Sequence, residues 1–215
     1  MKDNPHITYS WPAALKDGFY RKRLIIGMAL LIGVLTTFPF YFQYIQKREG
    51  VVLHDVLLYY IPAVNVSVPL FITIWLTALL IVVRVIKNPR IFLNFLWTFI
   101  VLSVLRFITI WLVAINPPEK LIALVDPLSN AFYGKSFITN DLFFSGHTAT
   151  MFIIFLCLER KVDRRLALLA SLIVGALVLV QHVHYTIDVV CAYPFAWLAY
   201  YAGCQLAGLK KRDLG

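Results

Sequence analysis

The sequence predicts an all-α fold: an integral-membrane bundle of six transmembrane helices with both termini on the cytoplasmic side. Three observations predict it. Of 215 residues, 60% are hydrophobic and only 14% are charged, against about 45–50% and about a quarter in soluble domains. The apolar residues gather in runs of roughly 18 or more, the length that spans a bilayer. The basic residues sit in short segments flanking these runs, as topology signals do. The net charge of +9 is accounted for in this way, without a nucleic-acid partner.

Residues 1–23 form a polar-leaning cytoplasmic segment that ends in Arg21-Lys22-Arg23. The first apolar run, 24–45, ends in the aromatic stretch Tyr41-Phe42-Gln43-Tyr44. It is longer than the roughly 7–15-residue core of a cleavable signal peptide and is expected to stay in the membrane. Further spans are predicted over 66–86, 91–115, 145–158, 166–183 and 187–206. The fourth is short, as suits a helix that begins below the membrane surface in a protein-lined cavity. The catalytic helical domain is thus expected over 24–209, with a basic cytoplasmic tail over 210–215. Cys157, Cys191 and Cys204 all fall within spans and are odd in number, so disulfides are not expected to organise the fold.

Six spans return the chain to the side where it started, and the Lys/Arg distribution says which side that is. The N-terminal segment carries Lys2, Lys16, Arg21, Lys22 and Arg23, and the second and third spans are joined by Arg84, Lys87 and Arg90. The next connection on this face holds Arg160, Lys161, Arg164 and Arg165, and the tail Lys210, Lys211 and Arg212. The other face has Lys47, Arg48, Lys120 and Lys135, and Arg106 lies inside a span. Fifteen basic residues against four is a strong positive-inside bias. It places the starts of the fourth and sixth spans on the non-cytoplasmic side (periplasmic, extracellular or lumenal). The two long connections, 46–65 and 116–144, share that side; they carry Leu53-His54-Asp55, Tyr59-Tyr60, Pro117-Pro118 and Phe132-Tyr133. Long loops on one face of a compact scaffold are where function usually resides.

Two short segments on that face carry protonatable side chains. In Asp141-Leu142-Phe143-Phe144-Ser145-Gly146-His147-Thr148, Ser145 suits an N-cap and Gly146 permits close approach of a ligand to the backbone. Helix-start amides and the dipole behind them favour a phosphate, and His147 beside that anion suits a proton donor to a leaving oxygen. A capped helix start with an interfacial histidine would read the same way. In His184-Tyr185-Thr186-Ile187-Asp188, a histidine and an aspartate four apart share one face of a helix. An aspartate holding one ring nitrogen leaves the other free to attack, as a phosphohistidine-forming nucleophile requires. A structural His–Asp pair joining helices is the bland alternative, but ionisable residues inside a membrane are functional candidates by default. Arg106 needs a partner of its own, either a bound phosphate, which suits the guanidinium fork, or a carboxylate of Asp188, Asp141 or Asp55. His182 and His184 are two apart and would point apart on a helix, so a metal site is not expected, nor any cofactor; His182 is expected to pack or support.

These segments resemble the sphingomyelin synthases of the lipid phosphate phosphatase (type 2 phosphatidate phosphatase) superfamily. Asp141-x-x-Phe144-Ser145-Gly146-His147-Thr148 is similar to that family's third motif, and His184-Tyr185-Thr186-Ile187-Asp188-Val189-Val190 with Ala192-Tyr193 to its fourth. Arg106-x-x-Thr109 with Pro117-Pro118 is similar to part of the second, and Leu53-His54-Asp55 echoes the first. The family's Cys-Gly before the aspartate is Thr139-Asn140 here. The resemblance implies a six-span fold with a site at the exoplasmic face and a triad of His147, His184 and Asp188. It also implies a phospholipid donor and a lipid alcohol acceptor such as ceramide. Arg106, Asp141, Ser145, Gly146 and Tyr185 are expected at the substrate. A phosphatase that uses water as acceptor shares the first half of this reaction, and a non-catalytic membrane scaffold or transporter is a third expectation.

Overall fold

In a computed structural model, residues 10–124 and 139–209 are described. The expectations for Lys2, Phe132-Tyr133, Lys135 and the basic tail 210–215 lie outside the described residues. Among the described residues there are eight helices and no strand. They are α1 (Trp11–Lys16), α2 (Gly18–Gln46), α3 (Val56–Tyr60), α4 (Ser67–Lys87), α5 (Pro89–Leu112), α6 (Gly146–Cys157), α7 (Lys161–Val180) and α8 (Thr186–Ala207). The six longer ones fall on the six predicted spans. By length and composition α2, α4 and α5 are apolar enough to cross a membrane, and α6 is a shorter apolar helix. These apolar helices mark the chain as a membrane protein. The two short helices, α1 and α3, are absent from the sequence-based expectation because neither is long enough to show a period.

Local chemistry sets the helix ends. The Asp17 carboxylate accepts the Phe19 N–H at the start of α2. Asn88 does the same for Arg90 and Ile91 at the start of α5, where Pro89 occupies the first turn. Gly208, with φ 67°, closes α8 in the left-handed conformation that glycine adopts without penalty.

The outward face of α4 is apolar throughout, with Val68, Ile72, Leu76 and Leu79 exposed, as lipid contact requires. The inner face of α8 is a stripe of small residues, Ala192, Ala196, Ala199, Gly203 and Ala207, all buried. Small residues let helix backbones approach closely where lipid offers no hydrophobic drive to associate. At Gly203 the approach is extreme. A Cβ there would lie 2.7 Å from the Thr98 Cα and backbone N of α5, atoms that move only with the helix. Gly203→Ala is therefore expected to cost about 1–3 kcal/mol, read as a lowered thermal unfolding midpoint of the purified protein. An unchanged midpoint would contradict this packing.

The two ends of the bundle are tied differently. At one end the Trp11 indole N–H donates to the Ile86 carbonyl at 2.7 Å and the Tyr20 hydroxyl to Pro89 at 2.9 Å. Arg23 donates to Leu206, and Arg84 forks onto Asp163 at 2.7 and 3.0 Å. At the other end Gln46 binds Thr139, Gly50 binds Asn116, Asp55 binds Thr186, and the Val64 N–H reaches the Val180 carbonyl. The basic connections thus gather at one end, and the histidine-bearing segments at the other.

Candidate active site

The site is built where three chain segments meet at the second end: the last turns of α5, the approach to α6, and the approach to α8. A backbone bond joins the latter two. The Ser145 N–H donates to the Asp188 carbonyl at 3.0 Å, so the first turn of α6 is fixed against the first turn of α8. Ser145 then caps α6, its hydroxyl oxygen facing the Thr148 N–H at 3.4 Å and the Thr148 hydroxyl at 3.0 Å. Both side chains are fully buried. His147 follows two residues later, half-buried in the same turn.

Arg106 comes up from α5 beneath this turn. Its guanidinium donates to the Phe144 carbonyl and to the Asp141 carboxylate, and it is 8% exposed. Of the carboxylates open to Arg106 in the sequence, its partner is Asp141. Three residues on, the Thr109 hydroxyl donates to the Phe143 carbonyl at 3.2 Å, so one face of α5 holds two successive carbonyls of the loop. Gly146 has a specific reason to be glycine: a Cβ there would meet the Arg106 Cζ at 2.7 Å and Nη1 at 2.8 Å.

His184 and Asp188 meet, though not as the sequence expects. α8 begins at Thr186, with Tyr185 as its N-cap, so His184 precedes the helix and the two do not share a helical face. They meet because Asp188, in the third position of the helix, reaches back over its N-terminus. Its Oδ2 accepts the Tyr185 N–H at 2.9 Å and faces His184 Nδ1 at 3.5 Å. That separation is longer than a hydrogen bond, and catalytic contacts often stand loose before substrate binds. Both groups are buried, His184 at 6% and Asp188 at 0% exposure. Among the described residues His184 Nδ1 and Asp188 Oδ1 are without hydrogen-bond partners. With Nδ1 facing the carboxylate, Nε2 is the ring nitrogen turned away from it.

The other expected site residues divide. Asp141 sits within electrostatic range of Arg106, His184 and Asp188, and so belongs to the same cluster. Tyr185 is 1% exposed. Its hydroxyl donates to the Asn116 carbonyl at 2.9 Å and accepts the Leu53 N–H at 3.2 Å. It is a post that pins the loops before α3 and after α5 together. His182, at φ 56°, has its Nε2 2.9 Å from the Ile61 carbonyl and packs the loop before α4, as a supporting role predicts. Sequence reasoning missed Gln46, whose amide holds the Thr139 N–H at 2.8 Å and hydroxyl at 2.9 Å and so anchors the strand of loop leading to Asp141. A contact 93 residues apart leaves no local signal.

Comparison with known proteins gives one match and two blanks. No curated protein and no solved structure matches the chain. Residues 139–204 match the family model described as PAP2 superfamily C-terminal. The matched stretch begins at the Gln46-anchored loop and contains Asp141, the α6 start, His184 and Asp188. Over this stretch the chain is similar to the lipid phosphatase/PAP2 superfamily, whose members are phosphatases and phosphotransferases that act on phosphate esters.

Proposed function

We propose that this protein is a membrane lipid phosphotransferase of the sphingomyelin synthase type. It would move a phospho-headgroup from a glycerophospholipid to a lipid alcohol such as ceramide at the non-cytoplasmic leaflet, with both termini cytoplasmic. The observation that carries the reading is the buried His184–Asp188 pair, joined through the Asp188 carbonyl to the Ser145-Gly146-His147 turn.

The steps follow from these groups. His184 Nε2 attacks phosphorus while Asp188, at Nδ1, stabilises the positive charge that develops on the ring. The bond from phosphorus to the diacylglycerol oxygen breaks, and His147 supplies the proton that oxygen takes up. The first turn of α6 and Arg106 stabilise the phosphoryl oxygens, Arg106 by exchanging the Asp141 carboxylate for phosphate. His147, now neutral, takes the proton of the acceptor hydroxyl. The acceptor oxygen bonds to phosphorus, the phosphorus–nitrogen bond breaks, and His184 is restored.

The same first half-reaction with water as acceptor describes a lipid phosphatase, a reading favoured by the breadth of the matched superfamily. The test incubates purified protein in vesicles with headgroup-labelled choline and ethanolamine phospholipids, with and without ceramide. Label recovered on ceramide is the expected result. Water-soluble phosphate or phospho-headgroup, at the same rate with and without ceramide, would overturn the transferase in favour of the hydrolase.

A further inference from the structure

Asp55 lies in the outer loop after α2, 131 residues from the segment it binds. Its Oδ2 accepts the Thr186 N–H at 2.5 Å and its Oδ1 the Thr186 hydroxyl at 3.0 Å. Oδ1 also accepts the Leu57 and Leu58 N–H groups at 3.0 and 3.1 Å, capping α3. Four donors therefore converge on one carboxylate. Burial alone would push this carboxyl up, but the donors from Thr186, Leu58 and Leu57 outweigh it and hold the group below the usual carboxylate range.

Thr186 is the first residue of α8, two residues after His184. A helix start presents several unsatisfied N–H groups, and a carboxylate in the first turn is readily drawn to them. Here two carboxylates share that task. Asp55 takes the Thr186 N–H, while Asp188 Oδ2 takes the Tyr185 N–H and is the oxygen that faces His184 Nδ1. The hydrogen bonds of Asp55 go to the first residue of α8 and the first turn of α3. We propose that Asp55 is a positioning residue for His184: by anchoring the first helical residue of α8 from a distant loop, it fixes the His184 turn and leaves Asp188 to serve the imidazole. This role rests on the reading of His184 as the nucleophile.

Two variants test it. Asp55→Ala removes the anchor but also uncaps α3. Thr186→Pro removes both donors to Asp55 and leaves the α3 cap intact. Proline is favoured at the first helical position, and Tyr185, at φ −75° and ψ 158°, already has the backbone that a following proline demands. In the headgroup-transfer assay both variants are expected to lower kcat by about 10- to 100-fold. KM for the donor lipid should stay within about twofold, because a displaced nucleophile slows chemistry more than binding. Thr186→Ser, which keeps both donors, should retain the wild-type kcat. A wild-type kcat in both Asp55→Ala and Thr186→Pro, beside an inactive His184→Ala, would overturn this role alone. Full turnover by His184→Ala would overturn the reaction and this role together.

Discussion

His184→Gln is expected to abolish headgroup transfer, with kcat falling by about 10⁴- to 10⁶-fold, the scale seen when a nucleophile is removed from a cooperating set. Glutamine is the informative replacement. Its amide can donate to Asp188 from the side the imidazole faces at 3.5 Å, whereas His184→Ala leaves Asp188, at 0% exposure, with no donor on that side. Such a group costs about 1–3 kcal/mol. The glutamine variant should therefore unfold near the wild-type temperature and the alanine variant below it, with both inactive. Because Asp188 is also fixed by the Tyr185 N–H, neither change should displace the start of α8. A folded glutamine variant with a few per cent of wild-type turnover would remove His184 from the nucleophilic role.

Gly146→Ala is expected to separate stability from activity in the opposite sense to Gly203→Ala. At Gly203 the added methyl meets backbone, which cannot yield. At Gly146 it meets the guanidinium of Arg106, the far end of a flexible side chain, which can. The fold therefore tolerates the change, and alanine is the better helix former. Yet the guanidinium must leave the Phe144 carbonyl and the Asp141 carboxylate, and a displacement of about 1 Å in a charge-stabilising group costs on the order of 100-fold. Gly146→Ala should thus stay folded, with a lower unfolding midpoint from the lost Arg106 contacts, and lose about 100-fold in kcat/KM for the phospholipid donor. Unaltered kcat/KM would show that Arg106 does not act where the phosphate binds.

These contrasts show how much of the molecule the sequence makes legible. The long helices are readable because apolar runs interrupted by Arg84, Lys87 and Arg160 carry their own punctuation; α2, α4 and α5 begin and end within a few residues of the expected spans, apart from the early start of α2 at Gly18. The catalytic candidates are readable because ionisable side chains are scarce in such a chain. The geometry that joins them is less so. Residues His184 and Asp188 pair through a helix start that the four-residue spacing alone misplaces. The carboxylate that meets Arg106 is one of three that composition allowed. Asp55 and Gln46 act across 131 and 93 residues, and a single chain holds no trace of such contacts until it folds. Thr139-Asn140, a departure from the motif it resembles, is tied by Gln46 and by the Arg48 carbonyl, a compensation visible only in three dimensions.

The brevity of α6 has a consequence for the bilayer itself. Twelve residues extend about 18 Å, against a hydrocarbon thickness of about 30 Å. On the proposed orientation, with Glu159 and Arg160 at the cytoplasmic boundary, its Ser145 end would stop roughly 10 Å short of the opposite boundary. A lipid phosphate at its ordinary height would then stand above that point, and either the lipid would sink or the leaflet would thin around the protein. Elastic deformation of this kind costs fractions of a kcal/mol per Å, and it would be relieved in membranes of shorter acyl chains. Under the proposed function, membrane thickness would thereby become a kinetic variable of this protein, set by the length of one helix.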